Sequence, residues 1–70
     1  MDELNNAIAV VIENNVASES ILQKKMRIGY TRAVMIITTL EVCGIISEAS
    51  GAKPRQILIN DIDSAKNALL

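Results

Sequence analysis

The side chains best equipped to engage a ligand are cations grouped in two places. Lys24, Lys25, Arg27 and Arg32 fall within one stretch, and Lys53 and Arg55 flank Pro54. A lysine ammonium suits a phosphate as a point charge, whereas an arginine fork matches the O6/N7 edge of guanine. Thr31 sets a hydroxyl beside Arg32, and Met35 lies one helical turn further on. The candidate nucleic-acid-binding set is therefore Lys24, Lys25, Arg27, Thr31, Arg32, Met35, Lys53 and Arg55. Each also has a plainer reading. Arg32 can be a solvated surface residue, the lysine pair can complement the negative end of a helix, and hairpin cations can serve solubility alone.

Catalytic chemistry finds little to work with. There is no histidine, no glycine-rich phosphate loop, no cluster with metal-ligand spacing and no base paired with Cys43 or with a serine. No catalytic residue, metal ligand or cofactor is expected. Cys43 reads as a small core or rim residue and Tyr30 as a packing residue at a helix start. The lone thiol fits a reducing interior, and no apolar run approaches the roughly 18 to 20 residues that span a bilayer. The acidic start, Met1-Asp2-Glu3, lacks the basic opening of a secretion signal. A cytoplasmic domain without membrane contact is expected.

Net charge is −1, but the average hides a polarity. Residues 1–23 carry Asp2, Glu3, Glu13 and Glu19 and no cation. Residues 24–55 set Lys24, Lys25, Arg27, Arg32, Lys53 and Arg55 against Glu41 and Glu48. Local potential, not net charge, attracts a polyanion.

These residues need elements to hold them, and 70 residues suffice for one small domain. Leu4, Ile8, Val11 and Ile12 share a face of a first helix over about 2–13. Asn14-Asn15 breaks it, and Val16-Ala17 reads as a short extended piece able to join a sheet. Ser18 has the N-cap position of a second helix that runs to about Met26. Arg27-Ile28-Gly29 forms a turn, with Gly29 the residue free to adopt a left-handed conformation. Ala33, Ile36, Ile37 and Leu40 repeat with helical spacing, and Gly44 stops that third helix. Its outer face, Thr31, Met35, Thr38, Thr39 and Val42, is small, uncharged and partly apolar, with Arg32 on its flank.

Beyond Gly44, Ile45-Ile46-Ser47 and Ile57-Leu58-Ile59 read as two strands bracketing residues 48–54, a hairpin with a flexible tip. The expected fold is therefore α+β: a winged helix-turn-helix, three helices followed by a C-terminal β-hairpin wing. Residues 1–60 form the domain, and 61–70 form an extension that is a short helix or a frayed tail, with Ile62, Ala65 and Leu69 on one side. In such a fold the N-terminal half of the third helix enters the major groove.

The stretch Leu22-Gln23-Lys24-Lys25-Met26-Arg27-Ile28-Gly29-Tyr30-Thr31-Arg32-Ala33 resembles the gamma domain at the C-terminus of the FtsK/SpoIIIE family of DNA translocases. The likeness extends to Asp2-Glu3-Leu4, Ala17-Ser18, Glu41 with Gly44-Ile45-Ile46, and Gly51-Ala52-Lys53-Pro54-Arg55. The resemblance implies a winged helix that binds short G-rich duplex sequences, orients a translocase on the chromosome and contacts a tyrosine recombinase. Several copies can then share one DNA site. By position it implies DNA contact by Arg32, Lys24, Lys25, Lys53 and Arg55. The family pattern has Asn at Thr31, a second arginine at Met35 and an aromatic at Met26. Loss of one forked donor removes about 1–3 kcal/mol of base discrimination, so a changed sequence preference is expected. These residues hold no nucleotide-binding loop of a motor, so either an excised domain or a free-standing module is expected. A protein-interaction module using the Met35/Thr39/Val42 face is the alternative.

Overall fold

A computed structural model of the chain describes residues 2–49, 51 and 53–69. Four helices occur among them: α1 (Asp2–Asn14), α2 (Glu19–Met26), α3 (Tyr30–Val42) and α4 (Ile62–Ala68). Each begins or ends for a local reason. Ser18 caps α2, its hydroxyl accepting the Ile21 N–H at 3.4 Å. Asp61 caps α4, its carboxylate accepting the N–H and the hydroxyl of Ser64 at 2.9 and 3.0 Å.

The ends of α1 and α3 close in the same way, with a left-handed residue and two reversed hydrogen bonds. At α3, Gly44 takes φ +76 while its N–H donates to Glu41 O and that of Ile45 to Leu40 O. At α1, Asn15 takes φ 53, its N–H donates to Ile12 O, and that of Val16 donates to Val11 O. These are Schellman closures, which satisfy carbonyls that a helix end otherwise leaves open. Val16-Ala17 forms no strand. Val16 leads away from the α1 closure exposed, and Ala17 is buried in the core.

The core gathers Ile8 and Val11 of α1, Leu22 of α2, Ala33, Ile37 and Leu40 of α3, and Ile45-Ile46 from the segment after Gly44. The periodic apolar residues of the first and third helices face it as their spacing requires. α4 packs on α1, with Ala65 fully buried.

The expected α+β fold with a β-hairpin wing is overturned: among the described residues there is no β-strand, and the domain is a small helical one. The two predicted strands do approach each other, but they meet only at an isolated antiparallel bridge between Ile46 and Ile57. Ser47 N–H reaches Gln56 O at 2.9 Å and Leu58 N–H reaches Ile45 O at 2.8 Å. The next rung is taken by side chains. Gln56 N–H donates to the Ser47 hydroxyl at 2.8 Å, while Ser47 O accepts from Arg55 Nη1 at 2.9 Å. Side-chain bonds of this kind compete directly with a ladder. The flexible tip predicted over 48–54 includes Ser50 and Ala52, which lie outside the described residues.

Candidate nucleic-acid interface

The turn from α2 to α3 presents most of the predicted residues. Lys24 and Lys25 end α2 as exposed side chains, and exposed Arg27 caps it in a left-handed conformation, φ 55 and ψ 46. Gly29, the residue expected to be left-handed, is instead extended at φ −75 and ψ 167. The left-handed step falls at α2's C-cap, two residues earlier, because that is where the helix must reverse.

Gly29 offers no side-chain cap to α3, and no acidic residue occupies the first turn. The first N–H groups at the positive end of α3 therefore have no capping side chain. Tyr30 is 63% exposed and does not serve as a packing residue. Thr31 is exposed beside it.

Arg32 is exposed but not idle: its Nε donates to Glu3 Oε2 of α1 at 3.0 Å. A solvated pair of this kind contributes about 0–1 kcal/mol to stability, so its main effect is orientation. With Nε held by Glu3, the guanidinium plane is set and the two Nη groups carry its remaining donors. Sequence reasoning missed Glu3 in this role, since its partner stands 29 residues away. The only signal was its place in the Asp2-Glu3-Leu4 stretch.

Beside this pair an open depression of about 240 Å³ is lined by Glu3, Leu4, Arg32, Met35, Ile36 and Thr39. Met35 is 63% exposed and Val42 80%. Thr38 is exposed, and the half-buried Thr39 donates its hydroxyl to Met35 O at 3.0 Å. That bond satisfies the hydroxyl proton within the helix.

The second cationic group divides. Lys53 is exposed. Arg55 is folded inward, its side chain only 16% exposed, with Nη1 on Glu41 Oε1 at 2.6 Å and on Ser47 O at 2.9 Å. It ties the segment after Gly44 to the last turn of α3, where it also offsets an acidic residue at a helix's negative end. Lys24, Lys25, Arg27, Thr31, Arg32 and Met35 thus belong to the turn and α3, Lys53 stands on a separate segment, and Arg55 is engaged elsewhere. Among the described residues, no helix is long and apolar enough to cross a membrane. Nor do three or more His, Cys, Asp or Glu residues gather there as metal ligands would.

The model of the FtsK gamma domain family matches residues 2–60. A DNA translocase FtsK of Bacillus cereus is 45% identical over 62 residues, covering 87% of this chain and 8% of that protein. One from Caldanaerobacter subterraneus is 55% identical over 56 residues, covering 80% of this chain and 8% of that protein. The DNA translocase SftA of Bacillus subtilis is 51% identical over 63 residues, covering 89% of this chain and 7% of that protein. The chain thus spans only 7–8% of the length of these relatives. No solved structure matches it significantly. With residues 2–60 matched by the family model and relatives at 45–55% identity over most of its length, the chain belongs to the FtsK gamma domain family.

Proposed function

We propose that this chain binds double-stranded DNA by laying the N-terminal half of α3 in the major groove. The carrying observation is the clustering of exposed Lys24, Lys25 and Arg27 directly ahead of an α3 start that has no cap of its own and presents Arg32. The relatives, named as DNA translocases, support the same reading. Lys24, Lys25 and Arg27 grip phosphates, Lys53 adds a further contact, and Thr31 meets a phosphate or base edge. Arg32, oriented by Glu3, forks onto guanine through its Nη groups. Met35 contributes an apolar contact. Arg55 serves the fold by latching residue 47 to α3.

In this reading the domain is a non-catalytic cytoplasmic module that recognises short G-rich sequences and orients a translocase during chromosome segregation, with several copies able to occupy one site. Residues 1–60 are the DNA-binding unit and 61–70 an extension whose helix α4 packs on α1. Titrating a labelled G-rich duplex at several salt concentrations tests it. Binding at low salt that weakens on Arg32→Ala is expected; no binding, or no effect of Arg32→Ala, refutes it.

A second reading has a specific observation in its favour, the exposure of Met35 and Val42 on α3. Under it the outer face of α3 contacts a tyrosine recombinase or a partner subunit, with little DNA specificity. Charge reversal at Lys24 and Lys25 separates the two, because an apolar protein contact survives it and a phosphate grip does not.

A further inference from the structure

Along the outside of α3, Thr31, Met35, Thr38 and Val42 follow one another at spacings of four, three and four residues, which stacks them in a single stripe. All four are exposed. At 1.5 Å per residue the stripe runs for about 16 Å. It carries no charge and no amide; each member presents a methyl group, and Thr31 and Thr38 each add a hydroxyl. Arg32 flanks it, and the depression lined by Glu3, Leu4, Arg32, Met35, Ile36 and Thr39 opens beside that guanidinium.

We propose that this stripe reads the 5-methyl groups of thymine, so that the preferred site carries thymine beside the guanine contacted by Arg32. The inference rests on α3 lying in the major groove of duplex DNA. In that groove thymine alone of the four bases offers a methyl group, and apolar side chains are what recognise it. Charge chooses the occupant, because Lys24, Lys25 and Arg27 are exposed at the end of α2 and in the turn that leads into α3, with positive charge that a polyanion answers. Size disfavours a second copy: four side chains on one short helix fall well below the about 800 Å² per partner buried by a stable protein interface.

The test takes the chain as it stands and selects bound duplexes from a random-sequence pool. Each thymine of the selected site is then replaced singly by deoxyuridine, which removes only the methyl group. The expected result is about a fourfold loss of affinity at one or two thymines next to the guanine, the factor that corresponds to about 0.8 kcal/mol per buried carbon. Met35→Ala, an exposed change that spares the core, is expected to erase the difference between thymine and uracil. Selected sites that tolerate uracil everywhere, or a Met35→Ala variant that keeps the preference, overturn the methyl reading while leaving DNA binding by α3 intact. A failure to select any duplex overturns both. Concentration-dependent dimers that dissolve on Val42→Asp give the stripe to a second copy instead and also overturn the proposal.

Discussion

Arg55→Ala separates a latch from a phosphate grip. Its Nη1 makes two short hydrogen bonds, to Glu41 Oε1 at 2.6 Å and Ser47 O at 2.9 Å, from a side chain that is 16% exposed. Hydrogen bonds to charged groups contribute about 1.5–3 kcal/mol each. Glu41 is 33% exposed, so solvent screening moves the pair toward the low end of that range. The expected loss is about 2–3 kcal/mol in total, because truncation frees both the Ser47 carbonyl and a carboxylate at the negative end of α3. In a domain of this size that lowers the melting temperature by about 10–20 °C. Lys53→Ala, an exposed change on the same segment, is expected to stay within about 0.5 kcal/mol of the parent. Thermal unfolding followed by circular dichroism gives both values, and duplex affinity measured well below either transition completes the comparison. An Arg55→Ala protein that melts with the parent but binds DNA more weakly would refute the latch and return Arg55 to the phosphate contacts.

Three further changes probe the framework. Arg27 holds φ 55 without being glycine, a conformation that costs an L-residue about 1–2 kcal/mol, so Arg27→Gly is expected to raise the melting temperature. The same variant is expected to reduce the salt slope of DNA binding by about 1, and a slope equal to the parent's removes Arg27 from the phosphate contacts. At Gly44, an added Cβ meets nothing within 4 Å, yet φ is +76; Gly44→Ala is expected to lose about 1–2 kcal/mol by backbone strain alone, readable in denaturant titration, and an unchanged midpoint contradicts it. The Ser64 N–H and hydroxyl hold the Asp61 carboxyl below its ordinary value of 3.8. Its capping contribution is therefore present above that value and fades as pH falls through the lowered one. The Ser64 amide signal should report α4 loosening in acid, and an Asp61→Asn variant that shifts in the same way would point to another group.

What could be read from sequence was what neighbours in the chain decide. The Ser18 cap, the Gly44 stop and the faces marked by Ile8 and Val11 or by Ala33 and Ile37 depend on residues a few positions apart. The hairpin was not legible for the opposite reason. Two β-branched runs do predict pairing, but Arg55 crosses to Glu41 and Ser47, and the Ser47 hydroxyl intercepts Gln56, so these two runs pair only at Ile46 and Ile57. Pattern alone does not reveal such interception. At the candidate site, the basic residues and the outer face of α3 were visible as types and spacing. That Arg32 is steadied by Glu3, and that Arg55 turns inward, required the tertiary packing of α1 and of the segment after α3.

The central claim, that α3 docks on duplex DNA with the α2 end gripping phosphates, rests most directly on the salt dependence of binding. Lys24, Lys25, Arg27 and Lys53 supply about four phosphate contacts, which predicts a log-log slope of about −3.6, or roughly a 150-fold loss of affinity between 50 and 200 mM salt. Lys24→Glu with Lys25→Glu is expected to weaken binding at every salt concentration and to flatten the slope to about −2. A parent slope near zero, or a double variant that binds as the parent does, would contradict the account.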